Sequence, residues 1–348
     1  MEAYYRLLKE KFTSKNAVLT ELIDLEAISH LPKGTEYFVS DLHGEFAAFD
    51  YILRNASGAV KEKIEQCFAD EQLSQADIDD LCLYIYYPEA KIARLASQLK
   101  KAKLDSQLMQ VAPRLVKAVQ FVGSKYTRSK VRKAMPKEFA YIIEELLSEI
   151  DHQKNKEDYF QTILSTIATL GQLDELVIAL AYLIQNLVID HLHVVGDIYD
   201  RGAYPDIIMD RLMALRSVDI QWGNHDIIWM GSVAGSPLCM VNVIRIAARY
   251  NNLEMIEDRY GINLRPLIAY SQEHYQPLPA FEPIIDQGKI SQRQAALLNQ
   301  LQQACAILQF KLEDQLIERR PEFALGHRQL LRQIDFDKVE IDLAGKIY

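Results

Sequence analysis

Three short apolar segments of this chain each run into a turn carrying a glycine and cation-binding side chains, and this pattern constrains the fold most. Glu36–Ser40 (EYFVS) leads into Asp41-Leu42-His43-Gly44. His191–Val195 (HLHVV) leads into Gly196-Asp197-Ile198-Tyr199-Asp200-Arg201-Gly202, and Val218–Trp222 (VDIQW) into Gly223-Asn224-His225-Asp226. Short β-branched and aromatic runs bounded by turn formers read as strands. Strand exits loaded in this way predict an α/β protein, because ligands of open α/β sheets gather beyond the carboxyl ends of the strands. Carboxylates, imidazoles and a carboxamide make a mixed oxygen and nitrogen set suited to Mn, Fe, Zn or Mg. Each string alone is an ordinary turn sequence. The weight lies in all three occurring in order at strand ends.

The rest of the chain reads as helix. Apolar positions recur at three- and four-residue spacing over residues 1–31, and again at Ile64/Phe68, Leu81/Ile85 and Leu173/Leu176/Leu180/Leu183. Residues 57–186 therefore predict a helical insertion between the first two strands, set into a core made of 1–56 and 187–348. A length of 348 residues with 49% hydrophobic content is ample for about two domains. Pro205 suits the first turn of a helix. The segment RRPEFALGHRQLLRQI predicts an amphipathic helix opening after Pro321, and the remainder to Tyr348 reads mainly as helices.

Net charge is −9, which argues against a nucleic-acid partner, since phosphate backbones need a cationic surface. An anionic ligand would need local positive charge or a bound metal. The four cysteines, Cys67, Cys82, Cys239 and Cys305, form no CxxC pair and read as reduced core thiols of a cytoplasmic protein. Cys239 lies near the third motif and reads as a packed thiol. The polar N-terminus is not a signal peptide, and no apolar run is long enough to span a bilayer, so no membrane partner is expected.

The strings D-x-H, G-D-x-x-D-R-G and G-N-H-D, with 27 residues from Asp197 to Asn224, resemble the calcineurin-like metallophosphoesterase superfamily. Residues 123–147 (GSKYTRSKVRKAMPKEFAYIIEELL), 205–213, 217–236 and 259–267 are similar to the class III fructose-1,6-bisphosphatases of Firmicutes, and the similarity covers nearly the whole chain. This resemblance implies a β-sheet core with α layers, interrupted by the helical insertion. It implies hydrolysis of fructose 1,6-bisphosphate to fructose 6-phosphate and phosphate, a gluconeogenic step, with Mn²⁺ as the metal. By the same resemblance Asp41 and His43 bind a first metal, Asp197 bridges both metals and Asn224 binds the second. His225 would be the protonated group at the scissile bond with Asp226 orienting it, Arg201 would contact phosphate, and Asp200 would accept hydrogen bonds behind the ligands. Two cations about 3.5–4 Å apart clamp a phosphate and bring the pKa of bound water near neutrality.

The family pattern also includes a strand-ending Gly-His far downstream. Of the eight histidines only His274 and His327 follow His225, and Gly326-His327 falls in the expected amphipathic helix. The expectation is a C-terminally truncated member with an incomplete core and second metal site, which binds that metal poorly and turns over little substrate. A catalytically incomplete phosphometabolite-binding or regulatory protein is the alternative of another class. A protein Ser/Thr phosphatase or dinucleoside-polyphosphate hydrolase shares the motifs, but those enzymes keep the first two close together. His191 and His193 alternate on one strand face and read as core residues or supports for the ligands. Residues 100–137 hold eleven Lys or Arg and one acid, leaving −19 on the rest. This island is either a solvated helix face or a site for a nucleotide or phosphometabolite effector at Lys125, Arg128, Lys130 and Arg132. A homo-oligomer is left open.

Overall fold

A computed structural model describes residues 2–71, 73–148, 154–285, 290–343 and 345–348. The protein is α/β but mostly helical. Its main sheet has three strands, β1 (Glu36–Val39), β2 (His191–Val195) and β3 (Val218–Gln221), in the order β1-β2-β3. These are the three segments whose composition predicts strands. Leu192 and Val194 of β2 are buried, alternating with the two histidines as the two-residue period of a strand requires.

The chain divides into two compact units, residues 1–37 with 50–192 and residues 38–49 with 193–348. The first helices, expected beside the motif-bearing core, thus group with the helical segment. They are α1 (Glu2–Lys11) and α2 (Lys15–Ser29), and neither contains a buried residue. The break between them is set by Ser14, whose hydroxyl accepts from Ala17 N at 3.1 Å and caps α2. Helix α3 (Phe46–Asn55) follows the first motif.

The first unit continues through α4 (Ala59–Cys67), α5 (Gln75–Tyr86), α6 (Pro88–Gln98), α7 (Lys101–Gly123), α8 (Arg128–Ala134), α9 (Ala140–Leu147), α10 (Lys154–Thr169) and α11 (Leu173–Val188). No strand interrupts the described residues of 57–186, as the helical spacing predicts. Apolar residues at three- and four-residue spacing bury one face of α7 (Leu104, Leu108, Leu115, Val119, Val122) against α11, which is buried nearly all round. Removal of apolar area from water at about 25 cal/mol per Å² makes this the main source of the unit's stability.

Asp190, just before β2, ties this unit together. Its carboxylate accepts from Thr35 N at 2.7 Å and from the Tyr126 hydroxyl at 2.6 Å, and pairs with Lys125 at 3.3 Å and with Lys130. Burial alone would raise the Asp190 pKa. Hydrogen bonds from Lys130, Tyr126 and Thr35, with the charge of Lys125, outweigh burial and hold it below the usual carboxylate range. A depressed folded-state pKa contributes stability that is present above the unfolded value of about 3.9 and lost as pH falls through the folded value. Replacing Asp190 by Ala is therefore expected to cost about 3 kcal/mol at neutral pH. The difference from the parent protein should shrink once the pH falls below the ordinary carboxylate range. Urea unfolding at several pH values checks both.

The second unit carries α12 (Pro205–Met213), α13 (Asn224–Val233), α14 (Pro237–Arg249), α15 (Arg265–His274) and α16 (Gln292–Arg319). Pro205 opens α12 at its first position, as expected. Val243 and Ala247 of α14 pack with Leu298, Leu301 and Cys305 of α16 in the core of this unit. The expected helix after Pro321 does not form. Residues 321–323, 326–328 and 330–333 make short 3₁₀ turns: Ala324 takes φ 53°, which a right-handed helix does not contain, and Gly326 follows. Beyond them β4 (Ile334–Asp335), β5 (Glu340–Leu343) and β6 (Lys346–Ile347) form a small antiparallel sheet. The expectation of helix to the C-terminus is corrected there: EIDL alternates in burial with the period of a strand.

Candidate active site

The loops after β1, β2 and β3 are laced together by main-chain hydrogen bonds. Asp41 N donates to Gly196 O at 3.2 Å, His43 N to Asp197 O at 2.7 Å and Gly44 N to Ile198 O at 2.8 Å. In return Gly202 N donates to His43 O at 2.6 Å and Tyr204 N to Gly44 O at 3.1 Å. The third loop joins through His225 N, which donates to Asp197 Oδ1 at 3.3 Å. Side chains that are far apart in sequence are thus held by backbone rather than by flexible rotamers.

Asp41, His43 and Asp197 all take left-handed backbone conformations, with φ of 54°, 48° and 52°. Such a φ costs a non-glycine residue on the order of 1 kcal/mol, and persists where the surrounding structure imposes it. Three of the four residues expected to bind metal therefore sit on strained backbone at strand exits. The fourth, Asn224, opens α13 between Gly223, which packs onto the Asp197 carboxylate, and His225.

The imidazole of His43 lies between two carboxylates, with Nε2 3.5 Å from Asp41 Oδ1 and Nδ1 3.1 Å from Asp200 Oδ2. Asp200 also faces His225, at 3.5 Å from Nδ1. One carboxylate thus faces two imidazoles. Asp226, expected to orient His225, instead directs its oxygens to Tyr199 N and Gly223 N, both at 2.9 Å. It is almost fully buried and braces the second loop against the third. Its place in the first turn of α13 points the carboxylate back at the main chain, as in a capping box. Tyr199 further anchors the second loop. Its ring packs on Trp229, its hydroxyl lies 3.0 Å from that of Tyr260, and burial, then the Tyr260 hydroxyl, raises its pKa. Arg201 is exposed beside this group, and its carbonyl accepts from Asn252.

The donor chemistry fits divalent cations. Asp41 and His43 bring a carboxylate and an imidazole to the first strand exit, Asp197 a carboxylate to the second and Asn224 a carboxamide to the third. His193 faces Asp219, with Nδ1 3.0 Å from both carboxylate oxygens, and its ring stacks on Phe38. His327 lies in a 3₁₀ turn and His274 ends α15. Cys239 packs close to Gly231.

A cavity of about 290 Å³ opens beside Asp200 and His225. Its remaining wall is Arg245, Ile246, Arg249, Tyr250 and Gln302. This size lies near the lower end for small-molecule sites. Sequence reasoning did not find these residues. The only signal was two arginines four apart in an apolar helix, in RIAAR.

The basic island has partners that a charge count along the chain does not see. Lys125 and Lys130 pair with Asp190, Arg132 lies 3.5 Å from Glu144, Lys101 pairs with Asp105 and Lys117 with Glu71. Arg128 is exposed. An anionic effector at this island would compete with Asp190 and Glu144 for its cations.

A family model described as Firmicute fructose-1,6-bisphosphatase matches residues 3–348. The chain belongs to that family. A class 3 fructose-1,6-bisphosphatase of Lactococcus lactis subsp. cremoris is 55% identical over 347 residues, covering 99% of this chain and 54% of the relative. Counterparts from Streptococcus agalactiae serotype Ia and Oceanobacillus iheyensis are 53% and 48% identical over 349 residues, each covering 100% of this chain and 54% of the relative. The chain spans about half the length of the curated relatives it matches. No solved structure matches it. Among the described residues of this fructose-1,6-bisphosphatase family member, no single helix is long and apolar enough to cross a membrane.

Proposed function

We propose that this chain carries the metal-binding half of a phosphomonoesterase site that hydrolyses fructose 1,6-bisphosphate to fructose 6-phosphate and phosphate. The observation that supports the reading is the main-chain lacing of the three strand exits, with Asp41, His43 and Asp197 on left-handed backbone and Asp200 facing both His43 and His225. A calcineurin-like arrangement of the core, Mn²⁺ as the metal and a cytoplasmic, gluconeogenic setting belong to the same proposal, supported by the motifs and the relatives.

Asp41 and His43 would hold one cation and Asn224 a second, with Asp197 between them. When bound, such cations polarise the phosphoryl group and lower the pKa of water. The protein's own residues do the rest. Asp200 faces Nδ1 of His225, and in the imidazolium, with one proton on that side, the second proton on Nε2 would pass to the departing sugar oxygen. Asp226 keeps the loop bearing His225 in register with the one bearing Asp197. Arg201, exposed at the second loop, would approach a phosphate oxygen.

The test is phosphate release by the purified protein from fructose 1,6-bisphosphate, a phosphoserine peptide and a dinucleoside polyphosphate, with Mn²⁺ and with chelator. The expected result is metal-dependent release, with kcat/KM for the sugar bisphosphate at least a hundredfold above the others. Preference for the peptide or the dinucleotide would overturn the substrate assignment. Turnover undiminished by chelator would overturn the metal site.

A further inference from the structure

The cavity beside Asp200 and His225 has a cationic wall that the hydrolytic residues do not use. Arg245 and Arg249 lie four residues apart on α14 and so share a face of that helix one turn apart. Among the described residues neither side chain forms a salt bridge, and Nε of Arg245 is buried without a hydrogen-bond partner. A buried guanidinium N–H left unpaired is costly, and a ligand anion relieves that cost. The one carboxylate among the lining residues, Asp200, already faces His43 and His225. Guanidinium groups match phosphate oxygens in bidentate geometry, better than a lysine's point charge does. The chain as a whole is acidic, so the pair is a local exception that would draw in an anion.

Resting on the phosphatase reading above, we propose that Arg245 and Arg249 bind the phosphate that is not hydrolysed. They would thereby select a sugar bisphosphate over a monophosphate. His225 lines the same cavity, so a ligand whose distal phosphate sits on the arginines extends its other end toward the imidazole and the strand exits. The two arginines are then specificity determinants, and the ring of the sugar spans the space between them and His225. Gln302, almost fully buried with its amide donated to Phe281 O at 3.0 Å, is a rigid part of the wall behind them.

Two measurements on the protein test this. In chelator, calorimetric titration with fructose 6-phosphate, which keeps only the distal phosphate, should show binding that Arg245→Gln and Arg249→Gln each weaken at least tenfold. With Mn²⁺, the ratio of kcat/KM for fructose 1,6-bisphosphate to that for fructose 1-phosphate should fall at least tenfold in both variants. Loss of both substrates in equal proportion, or fructose 6-phosphate binding indifferent to the substitutions, overturns the assignment. Arg249 is exposed, so its replacement serves should Arg245→Gln fail to fold by circular dichroism. The two readings separate cleanly. Arginine-dependent binding without turnover would overturn the phosphatase proposal alone, and turnover without arginine dependence would overturn only this one.

Discussion

Replacing Asp197 by Ala is expected to lower fructose 1,6-bisphosphate hydrolysis at least a thousandfold, a loss of about 4 kcal/mol in transition-state stabilisation. Two effects combine. In the proposed site the carboxylate would serve both cations, so its removal would take a ligand from each and leave their mutual repulsion unscreened. Its Oδ1 also accepts from His225 N, which couples the second strand exit to the third. Asp197→Asn separates the two, because the carboxamide keeps an acceptor for that N–H but loses the charge. It should fold like the parent and still lose most of the activity. Phosphate release and Mn²⁺ titration of both variants give the answer, and retention of a tenth of the parent rate by Asp197→Ala would remove Asp197 from the proposed role.

The second large effect is expected from Gly202→Ala, a change of one methyl group remote from any reacting atom. A Cβ at residue 202 would lie 2.1 Å from His43 O and 2.5 Å from Gly44 C. Both are main-chain atoms, so no side-chain rotation relieves the overlap, and the first and second loops must separate. That separation stretches the bond from Gly202 N to His43 O, now 2.6 Å, and displaces His43 from Asp200. Overpacking of this kind costs about 1–3 kcal/mol of stability. Misplacement by about 1 Å at a reacting site can cost 10²-fold in rate. Gly202→Ala is therefore expected to lose at least a hundredfold in kcat/KM and to unfold at a lower denaturant concentration. Gly326→Ala is the control. Only Gln329 Oε1, at 3.9 Å, lies near its Cβ position, and stability should change by less than about 0.5 kcal/mol.

Legibility in the sequence varied with how local the cause was. The three strands and the helical character of residues 57–186 follow from side-chain periodicity, which a single segment carries by itself. The metal-type residues were legible because glycine-flanked turns at strand ends announce them. Asp226 was expected beside His225 from the family resemblance. The first turn of a helix points such a carboxylate back at main-chain N–H groups, and Asp200, 25 residues earlier, takes the place beside the imidazole. The tail after Pro321 has helical spacing, but Ala324 turns left-handed and Gly326 follows it, so turns and a small sheet form instead. Gly223 illustrates the same limit: its missing side chain is required by the Asp197 carboxylate, 2.1 Å from where a Cβ would be, which no turn propensity reveals.

The sequence by itself determined the family, the chemistry of the candidate ligands and the segments that become strands, because each depends on residue types at short spacing. Only the tertiary structure decided that Asp190 pairs with Lys125 and Lys130, that Asp200 faces two imidazoles, and that Arg245 and Arg249 wall the cavity beside them. The reason is physical. Charge pairing, orientation and cavity walls depend on distances through space between residues tens of positions apart, and periodicity along the chain carries no information about those distances.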